Sequence, residues 1–178
     1  EILNKAYEDH YAVISPSIDG PDCLWMAVKA AEEMRSPLIL GMRWEVFTGR
    51  NGEELRMFVN MARELANIAT VPVSINFDHC HEMDIAVRGF YSGVTSVMLD
   101  YSLKSFDENA EGVKFVCDMA HEVGVSVEAE LGHLGVDTLL PGAENNKTLQ
   151  VSKSIYTDPD EAAEFVKRTN VDALAVSI

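Results

Sequence analysis

The stretch from Val125 to Leu131 constrains the fold most strongly, because apolar and polar residues alternate along it with the two-residue period of a β-strand. One face of this predicted strand is apolar, and the other carries Glu128 and Glu130. A sheet covered by helices on both faces would not accommodate two glutamates on one face. In a parallel barrel, that face lines the interior and reaches the catalytic mouth at the C-terminal end of the strand. The alternation therefore favours a barrel.

The rest of the chain supplies the other elements of such a fold. Strands are predicted at 11–17, 37–42, 71–78, 94–101, 125–131 and 171–178, and helices at 21–35, 53–69, 82–92, 106–122 and 161–168. A long loop is predicted at 132–157. Six strands separated by five helices imply a parallel sheet with right-handed crossovers. Two glycine-rich motifs bind phosphate groups after a strand, Gly-x-Gly-x-x-Gly and Gly-x-x-x-x-Gly-Lys. Neither follows a predicted strand here, which weakens the case for a doubly wound nucleotide-binding sheet.

Composition limits the class of protein. A chain of 178 residues with 47% hydrophobic residues is expected to form one domain. A net charge of -15 argues against a nucleic-acid partner, because affinity for the phosphate backbone comes from clustered lysines and arginines. No apolar run approaches the roughly 20 residues of a membrane span, and the first residues do not resemble a signal peptide. Three cysteines at no metal-binding spacing indicate reduced thiols, and hence a soluble cytoplasmic protein.

Acidic residues come at the ends of three successive predicted strands. Asp78, Asp100 and Glu130 each fall at the C-terminal end of a strand, and His79 follows the first of them. Parallel strands bring these ends to the same mouth. Carboxylates packed together repel, so either one of them retains a proton and serves as acid or base, or a cation binds among them. The two uses can coexist.

The segment after Asp78 contains a thiol between two imidazoles. His79 and His81 have a simple interpretation as hydrogen-bonded loop side chains, because the spacing His-x-His is a weak metal signal. However, Asp78 next to His79, and Asp100 and Glu130 at the ends of the neighbouring strands, favour a functional site. Cys80 is interpreted as a structural thiol. His81 is given no role.

Several ordered segments resemble the class II, metal-dependent ketose-bisphosphate aldolases. They are Val71-Pro72-Val73 leading to Phe77-Asp78-His79, then residues 93–100, 124–132, 156–159 and 171–176, and they cover nearly the whole chain. The resemblance implies a TIM (β/α)8 barrel, of which residues 1–178 hold a single domain with the first six βα units, truncated after the sixth strand. It also implies reversible cleavage of a ketose phosphate to dihydroxyacetone phosphate and an aldehyde, as in glycolysis and related carbohydrate metabolism.

The same resemblance implies a cofactor, Zn²⁺ or another divalent cation, and a role for each site residue. By position, His79 is a zinc ligand, and Asp78 is the acid/base that exchanges a proton with the aldehyde-derived oxygen. Asp100 and Glu130 match acids that line the metal site of the family. The other two zinc histidines follow later strands of the family, and are therefore expected beyond Ile178. A homodimer or homotetramer is expected from the resemblance alone.

Four further residues are expected to bind substrate because they follow strands at positions where the family contacts it. They are Ser17 and Asp19 after the first strand, Arg43 after the second and Ser102 after the fourth. These segments depart from the family pattern: residues 17–20 replace asparagines, Arg43 and Trp44 replace a small polar residue, residues 101–103 replace Gly-Ser-His, and Val136 replaces a glycine. Two hypotheses therefore stay open: a zinc-dependent aldolase, and a barrel homologue with little or no activity whose metal cluster has a structural or non-catalytic binding role.

Overall fold

The structure, a computed structural model, describes residues 1–43, 53–132 and 156–178. Within these ranges, helices and strands alternate along the chain. The helices are α1 (Ile2–Glu8), α2 (Pro21–Met34), α3 (Glu53–Ile68), α4 (Met83–Ser92), α5 (Phe106–Glu122) and α6 (Pro159–Thr169). The strands are β1 (Ser17–Ile18), β2 (Leu38–Arg43), β3 (Val73–Cys80), β4 (Ser96–Leu99), β5 (Ser126–Leu131) and β6 (Ala173–Val176).

All six strands are parallel and lie in the order β1-β2-β3-β4-β5-β6. Every crossover therefore moves one position in the same direction. A doubly wound sheet would reverse direction at a switch point, which is where such sheets bind their ligands. Consecutive order is the arrangement of successive βα units in a TIM barrel. The predicted α/β fold with six βα units is confirmed.

Most predicted elements agree with the structure to within two or three residues, and two differences have physical causes. Helix α1 was not predicted, because this short segment buries only Ala6 and so shows no apolar stripe. The first strand was predicted at 11–17, but the ladder of β1 is confined to Ser17 and Ile18. Ahead of it, only an isolated bridge joins Ile14 to Leu38. The predicted loop at 132–157 lies mainly outside the described residues.

Helices α5 and α6 begin at capping residues that the sequence makes recognisable. Ser105 accepts a hydrogen bond from the backbone of Glu108, whose carboxylate accepts one from the backbone of Ser105, forming a capping box. The side chain of Asp158 accepts from two backbone N–H groups at the start of α6. At the other end of α5, Gly124 follows the C-cap residue Val123 and has a φ of 73°.

The apolar core lies between the sheet and the helices that pack on its outer face. The outward-facing residues of β3, β4 and β5 are buried apolar side chains, namely Ile75, Phe77, Val97, Leu99, Val127 and Ala129. They belong to one cluster with helical residues that include Val59, Val113 and Phe165. The polar residues of the same strands are left on the inner face, as the alternation predicts. No helix in the described ranges has the length and hydropathy required to cross a membrane.

Candidate active site

The end of β3 departs from regular strand geometry at the residues predicted to carry chemistry. The register of β3 with β4 shifts between Phe77 and Cys80, and His79 has a φ of 46°, in the left-handed region. Strict alternation would send the side chains of Asp78 and His79 to opposite faces. Because of the irregularity, both residues line one cavity, and Cys80 lies buried in the core.

Three strand ends bring a cluster of possible metal ligands together, here called the ligand cluster: His79, Asp100 and Glu130. The His79 Nδ1 atom lies 2.8 Å from the Asp100 Oδ2 atom and 4.0 Å from the Glu130 Oε2 atom. One ligand atom from each residue lies within 4.8 Å of the other two. The ligand cluster is the set of metal-binding residues that the sequence predicts. One imidazole nitrogen and two carboxylate oxygens are donors suited to Zn²⁺.

The protonation of the cluster follows from its contacts. The hydrogen bond to Asp100 raises the pKa of His79 to about 9, with burial opposing and the charges of Asp78 and Glu130 assisting. Burial disfavours the ionised form of Asp100, but hydrogen bonds from His79 and Ser102 outweigh this effect and lower its pKa to about 2. Without a cation, the cluster therefore holds a protonated imidazole beside an ionised carboxylate. A metal ion that binds His79 through Nδ1 must displace this proton.

Asp100 is held by the loop that follows β4. The backbone N–H and the hydroxyl of Ser102 both donate to its Oδ1 atom, at 3.1 and 2.6 Å. On the other side, the Nδ1 atom of His81 lies 3.6 Å from the Asp100 Oδ2 atom. No role was predicted for His81, yet its side chain lines the same cavity. The irregular end of β3 causes this, and no periodic signal in the sequence reveals it.

Asp78 lies beside the ligand cluster on the inner face of the sheet. It is partly buried, and its Oδ2 atom faces Gly41 of β2, where an added Cβ would lie 3.5 Å away. In the register of β2 with β3, Arg43 is the partner of Asp78. The predicted acid/base residue and the predicted metal ligands line a single cavity of about 910 Å³.

Two further polar residues, Asn76 and Glu128, line this cavity, each two residues before a site residue on its strand, and Ser96 is hydrogen-bonded to Asn76. Asn76, which is 3% exposed, donates from Nδ2 to the Glu128 Oε2 atom at 3.0 Å and accepts from the Ser96 hydroxyl at 2.6 Å. Burial, followed by the charge of Asp78, raises the pKa of Glu128, while the Asn76 hydrogen bond opposes the shift. The strand alternation predicted that Glu128 faces inward, but not its hydrogen bond to Asn76.

The four predicted substrate-binding residues are not all in one place. Ser102 lines the cavity and supports Asp100. Arg43 is exposed at the end of β2, next to Asp78 in register. Ser17 and Asp19 are exposed at and after β1, and neither is among the residues that line the cavity. Substrate binding by these four residues stays a prediction.

The whole chain, residues 1–178, matches the family described as class-II fructose-bisphosphate aldolase. The protein belongs to this family, in agreement with the resemblance of its motifs. It is 36% identical over 177 residues to the D-tagatose-1,6-bisphosphate aldolase subunit GatY of Klebsiella oxytoca, covering 99% of this chain and 59% of that protein. It is 36% identical over 178 residues to the fructose-bisphosphate aldolase of Thermus caldophilus, covering 100% of this chain and 55% of that protein.

Solved structures agree with the fold. The crystal structure of the YdjI aldolase from Escherichia coli K12 superimposes with a TM-score of 0.79 at 35% identity, over 99% of this chain and 58% of the YdjI chain. The chain thus spans less than two thirds of the length of these relatives.

Proposed function

We propose that the protein is a metal-dependent aldolase that reversibly cleaves a ketose phosphate or bisphosphate to dihydroxyacetone phosphate and an aldehyde. The observation that carries this proposal is the convergence of Asp78 and the ligand cluster on one cavity, in a chain of the class II aldolase family. A cytoplasmic location and a homodimeric or homotetrameric assembly belong to the same proposal.

The residues of the ligand cluster are proposed to hold the cation. Their donors, a histidine nitrogen and two carboxylate oxygens within 4.8 Å of one another, fit a Zn²⁺ ion and also accept other divalent cations. When bound, such an ion supplies Lewis-acid polarisation of a substrate oxygen. Ser102 and the irregular end of β3 orient the ligands before any ion arrives.

Asp78 is proposed to move the proton. In the direction of cleavage, the hydroxyl of the carbon that becomes the aldehyde loses its proton to the Asp78 carboxylate, and the adjacent carbon–carbon bond breaks. The bonding electron pair stays with the ketone-bearing fragment, which then takes up a proton. In the direction of condensation, Asp78 returns its proton to the aldehyde-derived oxygen. A carboxylate at the mouth, next to but outside the ligand cluster, suits this exchange.

The names of the relatives suggest which substrates to test first. One is named for tagatose 1,6-bisphosphate and another for fructose bisphosphate, and these sugars differ in the configuration of one carbon. Both carry an anionic group at each end. We therefore propose a ketose bisphosphate as the substrate class.

The test is retro-aldol cleavage by the complete native protein. Fructose and tagatose bisphosphates are supplied separately, and release of triose phosphate is followed. Cleavage should be lost after treatment with EDTA and restored by stoichiometric Zn²⁺. Zinc binding without cleavage of either sugar would contradict the proposal and favour the alternative, a barrel homologue whose metal cluster has a non-catalytic role. Cleavage that resists EDTA would contradict the role of the metal.

A further inference from the structure

One buried amide connects helix α5 to the ligand cluster. Asn109, in the first turns of α5, is 2% exposed. Its Nδ2 group donates a hydrogen bond of 2.8 Å to the backbone carbonyl of Glu130, 21 residues further along the chain. This bond reaches the backbone that carries one of the three candidate ligands.

The bond lies where regular strand pairing on that side of β5 has stopped. The last paired residues in the ladder between β4 and β5 are Leu99 and Ala129. Glu130 is one residue beyond this pair, and β4 ends at Leu99, whereas on the other side Glu130 still pairs with Ala175 of β6. Asn109 therefore supplies a fixed contact to the end of β5 at a point where β4 no longer does.

The other polar atom of Asn109 argues that stability is not the main use of this side chain. Its Oδ1 atom is buried and has no hydrogen-bond partner among the described residues. An unsatisfied buried acceptor opposes folding, and its cost offsets the gain from the single hydrogen bond that Nδ2 makes. An apolar side chain of similar size would avoid this cost. A polar residue at this position is therefore better explained by its hydrogen bond to the Glu130 carbonyl.

The segment that contains Asn109 is fixed at several points. The Asp100 carboxylate is bound by Ser102 at the start of the loop, and Ser105 and Glu108 cap the first turn of α5. Asn109 follows directly. Within residues 100–109, Ser102 therefore binds the Asp100 carboxylate and Asn109 binds the Glu130 carbonyl.

We propose that Asn109 is a positioning residue for the metal centre, fixing the backbone of Glu130 so that its carboxylate converges with His79 and Asp100. The inference rests on the proposed metal binding, and it concerns affinity for the ion. Contacts that orient metal ligands usually contribute about 10-fold to 100-fold to metal affinity.

The test compares Asn109→Leu with wild type in the complete native protein. Leucine has the same number and branching of side-chain heavy atoms, and it removes both the donor and the unsatisfied oxygen. Zinc affinity is measured by competition with a chelator, and the coordination is followed by the visible absorption of the Co²⁺-loaded protein. We expect zinc affinity to fall by about 10-fold or more and the Co²⁺ spectrum to change. The Glu130 carbonyl loses this donor, so the melting temperature of the metal-free protein should fall, but no further than that of the control variant described next.

A matched control is Thr169→Val. Thr169 is fully buried at the end of α6, where its hydroxyl donates to the Phe165 carbonyl at 2.8 Å and accepts from the Val171 N–H at 3.3 Å. Valine keeps its shape and removes a buried polar group at the opposite end of the sheet. This variant should be less stable than wild type, with unchanged zinc affinity and an unchanged Co²⁺ spectrum.

The outcomes separate this inference from the proposed function. Zinc affinity in Asn109→Leu equal to that of wild type, or reduced equally in Thr169→Val, would overturn the inference. Absence of zinc binding in wild type would overturn the proposed metal centre itself. If Asn109→Leu does not fold, the side-chain amide resonance of Asn109 in wild type provides the test: it should shift when Zn²⁺ is added, and an unchanged resonance would overturn the inference.

Discussion

The C-terminal edge of the sheet, where the strands end, and the N-terminal edge, where they begin, each carry a histidine paired with an aspartate. The distance between nitrogen and oxygen is nearly the same in the two pairs. At the C-terminal edge, the His79 Nδ1 atom lies 2.8 Å from the Asp100 Oδ2 atom. At the N-terminal edge, the His121 Nε2 atom lies 2.9 Å from the Asp172 Oδ2 atom. The pair alone therefore does not distinguish a reactive site from a structural contact.

The surroundings of the two pairs differ. The Asp172 carboxylate also accepts the backbone N–H of Val127 at 2.7 Å, so it links α5 to the beginnings of β5 and β6. At the C-terminal edge, Glu130 joins the pair at 4.0 Å and Asp78 lines the same cavity. The imidazoles of His79 and His81 there meet the carboxylates of Asp78, Asp100 and Glu130, which outnumber them. This surplus is the physical feature that favours a cation at the C-terminal edge, and the following predictions test it.

The largest expected effect is on turnover. Asp78→Ala should lower kcat for retro-aldol cleavage by about 100-fold to 10,000-fold, because the exchanging proton loses its acceptor. Zinc content should stay the same, since Asp78 lies outside the ligand cluster. The control at the N-terminal edge, Asp172→Ala, should keep the wild-type kcat at temperatures where it is folded. Full activity in Asp78→Ala would show that the acid/base assignment is wrong.

Metal affinity should respond next. His79→Gln should weaken zinc binding by more than about 100-fold, because it removes a direct ligand, whereas residues that merely orient ligands contribute up to about that factor. His121→Gln makes the same chemical change at the other edge and should leave zinc affinity unchanged. Chelator competition measures both variants. Equal affinities would place the metal outside the ligand cluster.

Asp172→Ala should reduce the stability of the fold and leave zinc affinity unchanged. The substitution leaves the Val127 N–H without its acceptor and should reduce the free energy of unfolding by about 1–3 kcal/mol. Chemical denaturation of the metal-free protein gives this value, and zinc titration of the same variant gives the comparison. A weakened zinc affinity in Asp172→Ala would mean that the two edges are coupled.

The smallest expected effect is the pH dependence of stability without metal. The pKa of His79 is raised from 6.5 to about 9, so its pairing with Asp100 stabilises the fold fully below about pH 6.5, and this contribution is lost as the pH rises through about 9. The melting temperature in EDTA should therefore decline over this interval by a small amount, since His79 is half exposed. His79→Gln should remove this part of the decline, and His121→Gln should retain it.

The sequence predicted the fold well because its signals are periodic and local. The inward-facing Glu128 and Glu130 indicated a barrel, and the spacing of apolar residues placed most helices within two residues of their observed bounds. Helix α1 was missed because a short helix that buries one residue has no periodic pattern.

The sequence predicted that Asp78, His79, Asp100 and Glu130 come together, but not the geometry in which they do so. Strand ends brought Asp100 and Glu130 to one mouth, and resemblance to the family added His79. Strict alternation could not reveal the positive φ of His79, which lets it share a cavity with Asp78. The contact between Asn109 and Glu130 joins residues far apart in the chain, and no local pattern encodes it.

The most direct measurement of the central claim is zinc-edge anomalous diffraction from crystals of the complete native protein grown with Zn²⁺. The account predicts an anomalous peak within coordination distance of His79 and of at least one of the Asp100 and Glu130 carboxylates, with no peak at the pair formed by His121 and Asp172. A catalytically active crystal form whose only zinc peak lies away from His79 would contradict it.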